Sequence, residues 1–310
     1  MRGRPKGFAR AVRGFDEEVG MAVVRPLWRV PGIIARERLH PSGRQRIPEP
    51  MVMDDLDAVA HFHSGGATNP GMRAVYDFCA RSLDALLPTG GRLLDLGVGS
   101  GRALSAVLHR RADVSATAVD LAPNMLATAR ELFVAEGLDR RVDLIQADIT
   151  ALPAELASQP WDGISCMWTL HQLPDFGLLR AALRQIAELR RGSGAALWIS
   201  DFQRLRDPSA CPAMLGCVDP SSPERLRQDA IASEAAAFTR AELGAALADA
   251  GLGGMHSGHS RPLPYLQVYW MAGRHDTGRA VPRDAAGVRL RGSARREAAL
   301  LRSGFTAKPF

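Results

Sequence analysis

The sequence predicts an α/β fold, a doubly wound parallel sheet flanked by basic N- and C-terminal extensions. Three observations carry this. Short apolar runs alternate with stretches whose apolar residues recur at helical spacing, the pattern of repeated βα units covered on both faces. The first apolar run breaks into a glycine-rich turn, Gly97-Val98-Gly99-Ser100-Gly101. Polar residues mark the carboxyl end of each predicted strand, where open sheets of this kind bind ligands.

Taken in order, residues 1–50 mix Arg, Pro and Gly around an apolar section, Met21 to Ile34, which Pro26 and Pro31 interrupt. Pro48-Glu49-Pro50 reads as a linker. Met51 to Ala60 predicts a short helix, and His61 to Pro70, polar and glycine-bearing, a loop. Met72 to Leu87 carries apolar residues at helical spacing and ends at Pro88-Thr89-Gly90-Gly91. Strands follow at Leu93–Leu96, Val114–Val119, Val142–Ala147, Trp161–Trp168 and Ala195–Ser200, with helices after Gly101, from Pro123 to about Glu136, and from Leu178 to Leu189. An irregular stretch runs through Pro223, then a helix from Glu224 to Ala236. Thr239 with Glu242 three residues on is a capping box for a helix that Gly251 stops. Pro262 to Ala272 predicts a closing strand.

The stretch Gly91 to Asp120 has the order strand, glycine turn, helix, strand, acid, the opening of a nucleotide-binding βαβ unit. Glycines let the backbone approach a ligand, the helix start offers unpaired N–H groups, and an acid at the second strand's tip accepts from ribose hydroxyls. The spacing is G-x-G-x-G, with Arg102 where a dinucleotide fold would place its third glycine. By itself such a turn also fits a plain strand–helix connection.

The segments LLDLGVGSG and AVDLAPNML resemble the first two motifs of class I, Rossmann-like S-adenosylmethionine-dependent methyltransferases. TLHQLPD, residues 169–175, resembles the SxLHHLxD segment of many small-molecule methyltransferases, with Gln172 in place of the second histidine. The resemblance covers about residues 55–273. It implies a mostly parallel seven-stranded sheet with an antiparallel final strand, and three regions: a basic N-terminal arm at 1–50, the methyltransferase domain at 51–273 and a basic C-terminal tail at 274–310. It implies S-adenosyl-L-methionine as cofactor. Gly97, Gly99 and Gly101 would lie under its methionine part, Asp95 would help hold its amino group, and Asp120 would bind the ribose with Leu121 against the adenine. Asp148 would accept from the adenine amino group, beside the Ile149 N–H. Each aspartate also fits a cap or turn role. His171 and His63 are the candidate catalytic residues; His171 also fits a loop-fixing role, and His61 and His63 a lid. Trp161, Trp168, Tyr265, Tyr269 and Trp270 could line an acceptor pocket, although aromatics on strands are more often core.

Composition bounds the rest. At 310 residues, 46% hydrophobic and 23% charged, the chain matches a globular protein with one large core or two small ones. No apolar run approaches the about 18–20 residues of a membrane span, and no apolar segment follows the basic N-terminus as in a secretory signal, so a cytoplasmic location is expected. Residues 1–49 carry 11 Lys/Arg against 5 Asp/Glu, residues 274–310 carry 9 against 3, and the middle 19 against 25. An acidic body without an N/D-P-P-Y/F tetrapeptide or a Pro-Cys pair argues against a nucleic-acid substrate. The arms could meet anionic lipid, an acidic partner or a second copy, or stay solvated. The four cysteines fit no zinc or C-x-x-C spacing, and no metal site is expected; Cys211 and Cys217 read as free thiols in a loop. The expected function is methyl transfer from S-adenosylmethionine to an O, N, S or C nucleophile of a small molecule or peptide. The alternatives are a non-catalytic cofactor-binding scaffold and a nicotinamide-dependent oxidoreductase.

Overall fold

The computed structural model describes residues 26–274 and 290–310; the expectations for Met21–Arg25 and for 275–289 lie outside them. After a short 3-10 turn, the chain forms α1 (Val30–Leu39), α2 (Leu56–Thr68), α3 (Pro70–Leu86), β1 (Arg92–Leu96), α4 (Arg102–Arg110), β2 (Ser115–Asp120), α5 (Pro123–Ala135), β3 (Val142–Gln146), α6 (Ala154–Ala157) and β4 (Gly163–Met167). Then come α7 (Phe176–Ser193), β5 (Ala196–Phe202), α8 (Ala210–Val218), α9 (Glu224–Ala236), α10 (Arg240–Asp249), β6 (His256–His259), β7 (Leu266–Met271) and α11 (Gly292–Gly304).

The seven strands form one sheet in the order β3-β2-β1-β4-β5-β7-β6. The first five are parallel; β7 runs antiparallel to both β5 and β6. The chain order reverses between β1 and β4, so a crevice opens at their carboxyl ends. Period-2 alternation divides the strand residues between two cores. Leu93, Ala196 and Trp198 face α3, α4 and α5. Leu94, Leu96, Leu197 and Ile199 face α7 and α10. α7 shows why these helices form: Asp175 caps it by accepting from the Leu178 N–H at 2.9 Å, and Leu179, Ala182, Leu183, Ile186 and Leu189 make one buried stripe. The Thr239–Glu242 capping box is present in α10.

Two stretches differ from the sequence expectation. His61 to Thr68 is not a loop: α2 continues through it, and Gly65 and Gly66 lie inside the helix. A Cβ on Gly66 would come within 2.8 Å of the Arg102 side chain and 2.9 Å of the Tyr76 hydroxyl, so these glycines serve close helix packing rather than a turn. The irregular stretch before Pro223 contains α8, which carries Cys211 and Cys217 into the interior as buried thiols.

The described parts of both terminal stretches pack on the sheet domain. α1 buries Ile33 against Leu205, Ala210, Cys211, Cys217 and Leu263. α11 lies along α3, and the Phe305 ring that follows it stacks on Phe78 at 4.4 Å, 25° between planes. If the C-terminal stretch is integral to this core, Phe305→Ala should lower the unfolding free energy by about 3 kcal/mol, the cost of emptying a buried aromatic site. Urea denaturation measures this, and an unchanged midpoint would contradict the packing.

Candidate active site

The crevice begins at the glycine turn. Gly97, Gly99 and Gly101 have φ of 78°, 54° and 83°, a region open mainly to glycine. Their surroundings differ. A Cβ on Gly97 would fall on the Thr169 side chain, and one on Gly101 would come within 2.8 Å of Phe133. One on Gly99 would meet nothing nearer than Phe62 at 3.8 Å. Gly97 therefore permits β1 and β4 to approach, Gly101 permits α4 to pack on α5, and Gly99 leaves bare backbone facing the crevice. Gly97 and Gly99 line it; Gly101 lies behind it.

Three carboxylates stand at the strand ends. Asp95 is fully buried and accepts from the Ser165 hydroxyl at 2.6 Å. Burial lifts its pKa to about 7, against the Ser165 bond and with help from Asp120. A nearby cation would favour the charged form of a carboxyl so placed. Asp120 accepts from the Gly99 N–H at 2.7 Å and the Ala122 N–H at 3.0 Å; burial nevertheless moves its pKa upward. It is less an exposed tip than the peg on which the glycine turn hangs. Asp148 accepts from the Thr150 N–H and hydroxyl, each 2.8 Å and each at Oδ1. Asp95, Asp120, Leu121, Asp148 and Ile149 all face the same crevice as Gly97 and Gly99.

The β4 end forms the opposite wall. Trp168 has φ of 52° and is the one non-glycine residue with positive φ among the described residues. Such a conformation costs on the order of 1–3 kcal/mol and persists where surroundings over-determine it. Here the Trp168 N–H donates to Ser200 O at 2.8 Å. Its indole stacks on Phe202 at 5.3 Å, 12° between planes, and meets Tyr76 at 5.6 Å. Phe202 in turn meets Tyr265 at 5.3 Å. Tyr76, Trp168, Phe202 and Tyr265 thus make a continuous aromatic wall.

His171 is buried beside that wall, edge-on to Phe202 at 5.1 Å, and also lines the crevice. Its Nδ1 lies 2.6 Å from Asp201 Oδ1, its Nε2 3.1 Å from Glu49 Oε1, and its N–H donates to Asp201 Oδ2 at 3.0 Å. Burial pulls the imidazole pKa down, but Asp201 and Glu49 outweigh burial and carry it to about 9. Near neutrality both ring nitrogens are protonated and both are engaged. This is the geometry of a fixed cation, not of a base with a free lone pair. Arg46 holds the loop from outside: it donates to the carbonyls of His171 at 2.6 Å, Leu173 at 2.5 Å and Pro174 at 2.7 Å, and also to Ala236 O. Its guanidinium lies 4.1 Å over the Phe238 ring.

His63 is drawn elsewhere. Arg102 donates to its Nε2 at 2.8 Å and to its carbonyl at 2.6 Å. Burial first, then Arg102, lowers its pKa, and the ring does not line the crevice. His61 sits on the exposed side of α2, donating through Nδ1 to Asp57 O at 2.7 Å. Neither is on a lid loop; Phe62 between them is the residue of α2 that faces the crevice.

The crevice is one cavity of about 520 Å³. At one end lie the glycine turn and its acids. At the other lie the aromatic wall, Met72, Met214, Leu215, Val218 and Leu226. Among the described residues, no three His, Cys, Asp or Glu side chains converge where they could hold a metal ion, and no helix is long and apolar enough to cross a membrane.

Residues 93–194 match the methyltransferase domain family. The matched stretch, about a third of the chain, is similar to class I S-adenosylmethionine-dependent methyltransferases. It is 28% identical over 165 residues to a phosphatidylethanolamine N-methyltransferase of Cereibacter sphaeroides, covering 50% of this chain and 74% of that protein. It is 28% identical over 174 residues to a ubiquinone biosynthesis O-methyltransferase of Xylella fastidiosa, covering 53% of this chain and 65% of that protein, just under two thirds. A solved structure from Nostoc punctiforme, described as a candidate O-methyltransferase, superposes with a TM-score of 0.50 at 18% identity, over 79% of this chain and 69% of that one. That likeness supports the sheet order.

Sequence reasoning brought Asp95, Asp120 and Asp148 to the crevice but missed Asp219, Asp229 and Glu297 and the apolar Met51, Val52, Met53, Phe62 and Phe202, which also line it, and Glu49 and Arg46, which hold His171 and its loop. None belongs to a motif. Of the five aromatics weighed, Trp168 and Tyr265 line the cavity, whereas Trp161, Tyr269 and Trp270 are core.

The His171 pKa is higher folded, at about 9, than the about 6.5 of an unfolded histidine. Its stabilising contribution is therefore complete below pH about 6.5 and lost as pH rises through about 9, on the order of 3 kcal/mol in all. Denaturant titrations from pH 6.5 to 9.5 should show this decline in the wild type and a flatter profile in His171→Gln. Parallel profiles would mean the imidazole is neutral in the fold. Trp168 yields a second expectation. Trp168→Gly relieves a backbone conformation suited to glycine, so its melting point should fall less than that of Trp198→Gly, a buried core tryptophan. An equal fall would show that no strain is stored at 168.

Proposed function

We propose that this chain moves the methyl group of S-adenosylmethionine onto an oxygen or nitrogen nucleophile of a small, largely apolar molecule. The observation that carries the reading is the single cavity with two unlike ends: bare glycine backbone and acids at one, an aromatic and methionine-rich chamber at the other. The relatives named for phosphatidylethanolamine and for ubiquinone biosynthesis support a lipophilic acceptor over a peptide. The protein works in the cytoplasm in this reading.

The residues present fit the donor. Asp95, pushed to about 7 by burial, would become a carboxylate beside the donor's ammonium. The Gly99 backbone, with no side-chain atom nearer than 3.8 Å to where a Cβ would stand, leaves room for the methionine part, with Gly97 beside it and Gly101 bracing the turn from behind. Asp120 would take the ribose hydroxyls while holding the turn, and Leu121, Asp148 and Ile149 would surround the adenine. When bound, S-adenosylmethionine supplies a methyl group on a sulfonium, already a strong electrophile. The protein's task is then positioning and exclusion of water. Trp168, at the junction of the two ends, would orient the acceptor. His171, held between Asp201 and Glu49, is proposed to fix the β4 loop and the local charge and not to take a proton. His63, tied to Arg102, has no catalytic part in this reading.

Calorimetric titration of the whole chain with S-adenosylmethionine at pH 6, in buffers of different ionisation enthalpy, tests the donor site. At that pH an α-ammonium, of pKa about 7.7–8.0, is already charged and Asp95 largely protonated, so binding should release close to one proton. Asp95→Asn should abolish the release, and Asp120→Ala should weaken binding at least ten-fold. Absence of binding would sink the reading. Given binding, labelled methyl transfer to 2-naphthol or a long-chain amine, with none to a polar peptide, is the expected acceptor preference; the reverse would overturn the apolar assignment.

A further inference from the structure

The outer side of α1 and of the 3-10 turn before it gathers exposed apolar residues. Leu27 is 52% exposed, Trp28 76% and Leu39 83%. Trp28, Pro31, Gly32, Ala35 and Leu39 recur at helical spacing, and all are exposed, so they share the face opposite buried Ile33 and Glu37. An ordinary surface helix carries polar residues there; this one is apolar on both sides. The charged residues fully exposed between 27 and 48 are Arg29, Arg36 and Arg38. The sole acid of α1, Glu37, is turned inward, accepting from the N–H groups of Arg206 at 2.9 Å and Asp207 at 2.8 Å. Arg29 lies 4.9 Å over the Trp28 ring, and the only acid beside Arg36 is Asp207, itself buried. The 25 residues before this patch add six Lys/Arg against three acids.

We infer that this face docks on an anionic lipid surface. Tryptophan and leucine flanked by arginine, with no exposed acid, suit the boundary between headgroups and acyl chains: the indole settles at the interface while the guanidinium groups meet phosphates. A protein partner would need matching acids and leaves the tryptophan without that preference. The placement has a use. Ile33, on the inner side of α1, packs on Cys211 and Leu263, and both of these also line the apolar end of the cavity. One layer of side chains separates the docking face from the acceptor chamber, so docking brings that chamber to the bilayer from which an apolar acceptor would come. This last step rests on the proposed function; docking itself does not.

Flotation of the full chain with vesicles tests the inference. Vesicles of phosphatidylcholine with about one third phosphatidylglycerol should carry the protein at moderate salt, and pure phosphatidylcholine vesicles should carry at least ten-fold less. Trp28 is the one exposed tryptophan of the five, so vesicle binding should shift the protein's fluorescence to the blue and allow quenching by brominated acyl chains. The double variant Trp28→Ala/Leu39→Ala and the charge variant Arg36→Glu/Arg38→Glu should each lose at least ten-fold in partitioning while binding S-adenosylmethionine as the wild type does. No association at any anionic content would overturn the proposal. So would association that neither variant weakens, which would assign it to the basic residues before α1. A blue shift that appears with protein concentration and no vesicles would assign the face to a second copy. Donor binding measured on the same samples separates these failures from a failure of the methyltransferase reading.

Discussion

The site depends on one close approach. The turn after β1 passes the start of the β4 loop with no room for a side chain at Gly97, because the Thr169 side chain occupies that space. The Thr169 hydroxyl, 3.0 Å from Met167 O at the end of β4, reaches Gly97 O at 3.3 Å and Leu96 O at 3.4 Å across the junction. Any Cβ at position 97 would push apart the two strands whose separation at their carboxyl ends makes the crevice. The acids on one side and the aromatic wall on the other are thereby held at a set distance, which is the property a bimolecular transfer needs from a protein that contributes no covalent chemistry.

A second constraint acts from outside. Buried charges are tolerated where each has partners, and removal of one leaves the other uncompensated. Glu234, fully buried, accepts from Arg44 at 2.8 Å and from the Leu205 N–H at 2.6 Å. Arg204 donates to Glu242 at 2.7 Å and to Ala237 O at 2.6 Å. Together with Arg46 and the Glu49–His171–Asp201 row, these pairs bind residues 44–49 across the sheet domain's edge. Part of the basic arm's charge is thus matched to acids of the body.

The α1 face and the cavity share the same thin layer of side chains, so the stretch that the charge network secures is also the one that carries the exposed tryptophan. Anchoring and docking are then properties of one segment. The buried side is fixed by Ile33 and Glu37, and the outer side is free to differ from a normal protein surface.

Much of this was legible in the residues themselves. Alternating apolar runs, the glycine turn, the Thr239–Glu242 cap and the acids at strand ends report local rules: backbone sterics, period-2 and helical spacing, capping chemistry. These determine elements and, through the short connections of a doubly wound sheet, bring Asp95, Asp120 and Asp148 to one edge. What only the tertiary structure decided is long-range and non-periodic. Gly65 and Gly66 resemble loop residues until Leu226 is seen pressing on the first and Arg102 and Tyr76 on the second. His171 resembles a base until Glu49, distant in sequence, is seen on its second nitrogen. The apolar end of the cavity draws on α3, α8, α9 and β5, and each contributes apolar side chains of ordinary kind. A donor site built on backbone geometry leaves its mark in the sequence, because few residues satisfy that geometry; a chamber built on shape leaves none, because many apolar residues fill a wall equally well.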